Sequence, residues 1–399
     1  MLPKPFAAAK PVLEQIEKHN YRAYFVGGCV RDLLLDRALG DIDIATSAPP
    51  ETIQKIFPKV IPVGIEHGTV IVRHEGESYE VTTFRLDGDY SDKRHPDTVQ
   101  FINEIDKDLE RRDFTINALA MDLDGDIIDL FGGRADIEKK VIQTVGDGYK
   151  RFTEDALRII RALRFTSQLG FTIHPKTLED MRALRGEIES LAVERITNEF
   201  TKLFAGVHVN RAIEYLKELK IGNYLPVFHK HTDLMDAIPS TLLPLCSFGE
   251  VISLFHLIKP EVSIEVWVRQ WKVSNKIKME AQQLLRAYER YHKNGLDLML
   301  VYQLDPGYYD GFVRLVNVMH PKSLTTDEMA SVAGKLEIRS RTELAINGHD
   351  LIEMYPERKK GPWLHRLIQQ IEAEVAAGNV KNNLKDIKDW IKWNPHAID

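Results

Sequence analysis

The sequence predicts an α+β fold, a mixed α/β head followed by an all-helical remainder. Short segments rich in β-branched and aromatic residues are confined to the chain before about residue 147. Beyond Gly148 those signals nearly vanish and periodic apolar patterns take over. With 399 residues, 44% hydrophobic and 28% charged, the chain can bury large cores in two to four structural units.

The opening stretch, "MLPKPFAAAKPVLEQIEKHN", reads as a proline-started helix and lacks a signal-peptide core. "AYFV", "DIDIAT", "TVIVRHE", "SYEVTTFR" and "DIIDLF" read as strands. Between them "VRDLLLDRAL", "PPETIQKIF" and "INEIDKDLERRDFTINALAMD" read as helices. "TEDALRIIRALRFTSQLG" predicts one helix capped by Thr153 and stopped by Gly170. "VERITNEFTKLFAG" and "VNRAIEYLKELKIG" repeat that design, each ending at glycine, and "PWLHRLIQQIEAEVAAG" and "NLKDIKDWIKW" complete the helical part.

Composition excludes several classes. A net charge of −6 argues against a non-specific polyanion binder, though not against a local basic groove. No apolar run is long enough for a membrane span. The two cysteines, Cys29 and Cys246, have no metal-ligand spacing around them, and a reducing cytosol is the natural compartment. P-loop, dinucleotide G-x-G-x-x-G and G-x-S-x-G signatures are all missing. "FHKHTD", with His229, His231 and Asp233, follows Pro226 and has no evident further ligand, so a metal site there is disfavoured.

The chemistry concentrates in "YFVGGCVRDLLLDRALGDIDIAT". Strand alternation puts Asp41 and Asp43 on one face and Ile42 and Ile44 in the core. Two carboxylates so close repel unless a cation lies between them, and magnesium takes one or two carboxylates together with substrate phosphates. Gly27 and Gly28 let backbone amides approach a triphosphate, and Arg31 adds a forked donor to the same anion. A glycine pair alone is usually a turn, and an Asp-x-Asp pair alone is often a solvated strand end. Architecture rarely supplies the two together with an intervening arginine.

In "EDALRIIRALRF", Asp155, Arg158, Arg161 and Arg164 recur every third residue, each step turning back about 60° on a helix, so they share half of the cylinder. The bland alternative is a first turn favouring acids beside surface ion pairs. Three arginines short of neighbouring acids predict uncompensated charge suited to a triphosphate or an RNA end. Aspartate accepts hydrogen bonds and arginine only donates them, so the pair Asp155/Arg158 fits the donor–acceptor edge of cytosine or adenine and rejects uracil or guanine. In "DLERRDFTINALAMD", Arg111, Arg112 and Asp113 border the head, as phosphate or ribose contacts or as a charged helix start.

Taken together, "GGCVRD…GDIDIAT", "DLERRDFTINALA", "DLFGG", "EDALRIIRALRF" and "ERITNEFTKLF" resemble the class II tRNA nucleotidyltransferase/poly(A) polymerase family, most nearly its CCA-adding branch in Bacillus-type bacteria. The resemblance is strong from Tyr21 to Phe204 and looser in "ELAINGHDLIEM…GPWLHRLIQQIE". It implies a nucleotidyltransferase head (1–147) with a mixed sheet, followed by an elongated all-α neck (148–206), body (207–275) and tail (276–399). It implies Mg2+ on Asp41 and Asp43, and nucleotide contacts at Gly28, Arg31, Arg112, Asp155, Arg158, Arg161 and Arg164. It further implies CTP and ATP as substrates, tRNA held at its 3′ end and elbow, and a homodimer, in the cytoplasmic setting that the cysteine usage suggests. The rivals are a poly(A) polymerase, a CC- or A-adding relative, and a non-catalytic RNA-binding module. Cys29 stands where the family often has alanine, and no phosphohydrolase domain is evident. Asp87 to Phe101 looks like the flexible loop of full CCA-adding members, and Glu80 is left outside the site because the strand register is open. In Glu357 to Trp393 eight Lys/Arg against five Asp/Glu, with Trp363, Trp390 and Trp393, suit either a phosphate-tracking surface or a solvated helix over a local core.

Overall fold

The computed structural model describes residues 2–88, 98–320 and 323–394; most of the loop expected between Asp87 and Phe101 lies outside the described residues. The chain divides into two compact units, Met1–Asp236 and Ala237–Asp399.

The first unit opens with α1 (Lys4–Lys18), β1 (Ala23–Val26), α2 (Gly28–Leu34), β2 (Asp43–Thr46) and α3 (Pro50–Ile56). Strands β3 (Val60–Gly64), β4 (Thr69–His74), β5 (Glu77–Thr83), β6 (Arg85–Asp87) and β7 (Val99–Phe101) follow. Next come α4 (Ile105–Glu110), β8 (Leu119–Met121), β9 (Ile127–Asp129), α5 (Gly133–Lys139) and β10 (Val141–Ile142). The helical part has α6 (Gly148–Glu154), α7 (Leu157–Leu169), β11 (Thr172–Ile173), α8 (Pro175–Leu184), α9 (Val193–Phe204) and α10 (Val209–Glu218).

Seven strands form one sheet in the order β3-β4-β5-β2-β1-β8-β9. Only β2 and β5 run parallel, so the sheet is mixed, as the resemblance implies. Its register aligns Phe25, Ile44, Val81 and Val70 in one buried row. Helix α1 covers this row, with Phe6 meeting Phe25 edge-on at 4.9 Å. Each such fully buried aromatic contributes about 2 kcal/mol from area alone. Period-2 alternation then sends Asp43 and its register partner Glu80 to the opposite face.

Several expected elements are redrawn. Strand β2 begins at Asp43, leaving Asp41 exposed in the approach to it. Helix α2 ends at Leu34, because the chain turns through Asp36 in a left-handed conformation (φ 49°) to reach β2. The stretch from Asp108 to Asp122 is not one helix. It breaks after Glu110, and Phe114 is extended. Ile116 and the run Ala118 to Met121 are all fully buried, which a strand between two layers satisfies and a helix with one covered face does not.

The helix expected to start at Thr153 is two. Asp147 caps α6, Thr153 lies inside it, and Asp155 breaks the chain with extended angles (φ −153°, ψ 101°). The Asp155 carboxylate then accepts the Leu157 amide at 3.1 Å and so starts α7. Gly170 ends α7 with φ +72°, as expected. By contrast α9 and α10 stop at Ala205 and Leu219, and Lys220 rather than a glycine takes the left-handed position.

The second unit, among described residues, is helical. Ser247, Ser263 and Ser274 cap its helices Phe248–Ile258, Ile264–Gln270 and Asn275–Asn294. Buried Glu250 takes a two-pronged contact from Arg314 at 2.9 and 2.8 Å. Trp363 and the half-buried Trp390 join a core with Leu367, Ile371 and Ile387, whereas Trp393 is 84% exposed. No described helix is long and apolar enough to cross a membrane.

Candidate active site

A cavity of about 790 Å3 opens on the face of the sheet that carries Asp43 and Glu80. Asp41, Asp43 and Glu80 all line it. Burial pushes the Asp43 carboxyl up to about 6, and the negative charges of Glu80 and Asp41 add to this against the opposing pull of Arg112. Glu80, set aside because its register was open, is therefore the third carboxylate of the cluster.

The turn after β1 shapes the next wall. Gly27 has φ +74°, which strains any residue with a side chain, and a Cβ there would lie 2.8 Å from Arg112 Nη1 and displace the tip of that guanidinium. Gly28 begins α2 and lines the cavity. Arg31 is buried and donates to Asn117 Oδ1 at 2.6 Å while pairing with Asp32 at 3.0 Å. Cys29 packs as a small apolar residue with its thiol toward the Val26 carbonyl, and burial pushes that thiol up to about 11.

Each arginine of the cleft is already paired, so the charge expected to be uncompensated on α7 is not. Arg158 donates to Glu154 at 2.7 Å, Arg161 to Asp113 at 2.8 and 2.6 Å, and Arg164 pairs with Glu199 at 3.1 Å. The acids come mostly from outside the helix, where helical spacing cannot display them. Burial alone would raise Asp113, yet Arg161 and a hydrogen bond from Asn117 hold it well below the ordinary carboxylate range. Buried Asp108 is likewise held low by Arg111 and Arg112, which it anchors. Phe165 is flanked by the guanidinium carbons of Arg164, Arg31 and Arg161 at 4.2, 5.1 and 5.6 Å.

Asp155 is not on the same helix as the three arginines but immediately before it, and Arg195 of α9 grips its carboxylate at 2.7 and 3.2 Å. A carboxylate has about four acceptor sites, so Asp155 retains capacity toward the cavity it lines. Three donor contacts are made by Arg158, to Glu154, the Arg151 carbonyl and the Arg111 carbonyl. A guanidinium has five N–H groups, so donors remain there too. The two groups are fixed in direction before any ligand arrives.

Every residue expected in the site lines this one cavity: Gly28, Arg31, Asp41, Asp43, Arg112, Asp155, Arg158, Arg161 and Arg164. Arg195, which lines the cavity, and Glu199, which holds Arg164 from behind, were not singled out although they stand in the quoted "ERITNEFTKLF". Their i, i+4 spacing puts both on one face of α9, but only the packing of α9 against α7 shows what that face meets. "FHKHTD" forms a short turn in which His229 Nδ1 contacts the Leu225 carbonyl.

Among the described residues no three His, Cys, Asp or Glu side chains form a ready-made metal cage. A divalent cation that keeps waters and completes its shell with phosphate oxygens does not need one. The donor set fits, because like-charge crowding around Asp43 is what a divalent cation relieves.

Family models agree with this architecture. A model described as the poly A polymerase head domain matches residues 23–143, and one described as a probable RNA and SrmB-binding site of polymerase A matches 170–232. A third, putative domain 2 of tRNA nucleotidyltransferases, matches 251–391. Head and cleft define a nucleotidyltransferase. The CCA-adding enzyme of Oceanobacillus iheyensis is 48% identical over 99% of both chains, and that of Bacillus mycoides is 38% identical over 97% of this chain and 98% of its own. The chain belongs to the CCA-adding enzyme family. The crystal structure of the Bacillus stearothermophilus CCA-adding enzyme in complex with CTP superposes with a TM-score of 0.84 at 36% identity, covering 99% of this chain and 98% of that one. The Thermotoga maritima enzyme complexed with tRNA shares the fold, with a TM-score of 0.62 at 21% identity over 98% of this chain and 96% of that one.

Proposed function

We propose that this chain completes the 3′ end of tRNA by adding C, C and A from CTP and ATP without a nucleic-acid template, releasing pyrophosphate. The observation that carries the reading is one cleft holding both a carboxylate cluster and a pre-oriented acceptor–donor pair. The terminal 3′-hydroxyl attacks the α-phosphorus, and the new P–O bond forms as the bond to the bridging oxygen breaks. The hydroxyl proton passes to solvent and pyrophosphate leaves.

Asp41 and Asp43 would hold magnesium, which would supply Lewis-acid chemistry there by lowering the pKa of the attacking hydroxyl and offsetting charge on the departing pyrophosphate. Gly28, Arg31 and Arg112 position sugar and phosphates, and Arg161 and Arg164 complete the charge around them. Although burial and the neighbouring Arg161 pull the Arg164 guanidinium down to about 10, it stays charged at neutral pH. Asp155 accepts from the amino group of cytosine or adenine, and Arg158 donates to the adjacent ring nitrogen. Two unpaired thiols support a reducing cytoplasmic setting.

Incubating the protein with a tRNA lacking CCA and each nucleotide separately tests the reading. CTP is expected to add two residues, and ATP to add one residue once CC is present. Long A tracts without CTP use would establish a poly(A) polymerase instead.

With Asp43 pushed up to about 6, kcat/KM is expected to fall as pH drops through that value, because only the ionised carboxylate holds the cation. The metal competes with the proton, so raising the magnesium concentration moves the acid limb to lower pH. Rates between about pH 5 and 8.5 at two magnesium concentrations check this. An acid limb indifferent to magnesium would uncouple Asp43 from the metal.

A further inference from the structure

The cleft has a direction. Following α7 from its start, Asp155 with Arg195 and then Arg158 come first, Arg161 with Asp113 next, and Arg164 with Phe165 and Arg31 after them. The cavity continues beyond Arg164 to Gln168 and Lys202. Arg158 to Gln168 spans about 15 Å at 1.5 Å per residue, the length scale of an extended nucleoside triphosphate. On the proposed function, the base lies at the Asp155 end and the phosphates run past Arg31 and Arg164 toward Lys202.

Lys202 stands one turn beyond Glu199 on α9, the residue that holds Arg164. All seven arginines lining the cavity pair with a carboxylate: Arg31 with Asp32, Arg111 and Arg112 with Asp108, and Arg158 with Glu154. Likewise Arg161 pairs with Asp113, Arg164 with Glu199, and Arg195 with Asp155. Lys202 alone among the lining cations has no such partner in the described residues, and its side chain is exposed. An ammonium placed there surrenders no internal ion pair when it meets an anion. A compact, rotatable point charge also suits a mobile terminal phosphate better than a fixed fork does.

We infer that Lys202 receives the pyrophosphate end of the bound nucleotide, completing a leaving-group site at the opposite end of the cleft from the base-reading pair. This rests on the nucleotidyltransferase reading and extends it to a residue that no base or sugar contact requires. Its contribution is blind to the base, so C and A are affected alike.

The test is calorimetric titration of the full chain with inorganic pyrophosphate, CTP and CMP, which needs no turnover. Lys202→Ala is expected to weaken pyrophosphate and CTP about three- to fivefold, the upper part of the range for one exposed charge contact. CMP, which lacks the β- and γ-phosphates, is expected to bind as in the wild type, and Lys202→Arg to restore pyrophosphate to within about twofold. Pyrophosphate affinity unchanged in Lys202→Ala, or CMP weakened in parallel with it, would overturn the inference. Wild-type extension of a tRNA lacking CCA, run alongside, separates the two levels. If CCA is added and pyrophosphate binding ignores Lys202, only the leaving-group assignment falls; if no nucleotide is added, the functional reading falls.

Discussion

Replacing Asp43 by asparagine is expected to lower nucleotide addition by about three orders of magnitude or more, which corresponds to about 4 kcal/mol of lost transition-state stabilisation. RNA binding should survive, because Asp43 lies at a strand start and its loss leaves the row of Phe25, Ile44, Val81 and Val70 intact. The same substitution is expected to stabilise the metal-free protein. Asp43 in the folded chain sits near 6 instead of 3.8, for reasons of burial and the charges of Glu80 and Asp41. A carboxyl raised on folding favours the folded state least where it must ionise. The penalty is absent below about pH 4, grows as pH rises through about 6, and is complete at pH 8. Its removal is worth on the order of 3 kcal/mol at pH 8. Thermal melting in EDTA at pH 8 should show Asp43→Asn melting above the wild type, with added magnesium closing the gap by stabilising the wild type alone. A variant that melts lower in EDTA, or keeps more than a tenth of the activity, would remove Asp43 from the metal site.

The second large effect concerns base choice. Asp155→Asn turns a pure acceptor into a group that both donates and accepts, and it discharges the contact with Arg195. Discrimination of CTP and ATP against UTP and GTP is expected to fall about 10- to 100-fold, within the 1–3 kcal/mol of a good bidentate base contact. Arg195→Ala touches no base in this scheme, yet it frees the Asp155 carboxylate and should erode the same discrimination. Ratios of kcat/KM for the four nucleotides on a tRNA ending before CCA measure both. Unaltered preference in Asp155→Asn would mean that the base is read elsewhere.

How much of this was legible depends on whether a partner is local. The β-rich head, the helical remainder, the Gly27–Gly28 turn, Arg31 and Asp43 follow from short-range pattern, because alternation and turn chemistry act over a few residues, whereas Asp41 lies before the strand that alternation assigned it to. The break at Asp155 was hidden, since an Asp followed by good helix formers looks like helix interior until its carboxylate is seen accepting the Leu157 amide. The stretch after Glu110 misled in the opposite way. "FTINALAM" has helical composition, but burial on all sides and pairing with β1 override propensity. The compensating acids were invisible for a simpler reason. Asp113 lies 48 residues from Arg161, Glu199 lies 35 from Arg164, and Asp155 lies 40 from Arg195, so only tertiary packing brings them together, with the head segment after α4 supplying Asp113 and α9 supplying Glu199 and Arg195. Glu80 likewise became part of the carboxylate cluster once the β2–β5 register placed it opposite Asp43.

The account turns on one cleft in which carboxylates act on the phosphates while a clamped Asp/Arg pair stands in for a template base. A crystal structure of this chain with CTP and a tRNA ending before CCA measures that directly. The cytosine amino group and ring nitrogen are expected within hydrogen-bond distance of Asp155 and Arg158, with Arg195 still holding Asp155 and the α-phosphate beside Asp41 and Asp43. Cytosine bound away from Asp155 and Arg158, or an α-phosphate remote from the two strand aspartates, would contradict it.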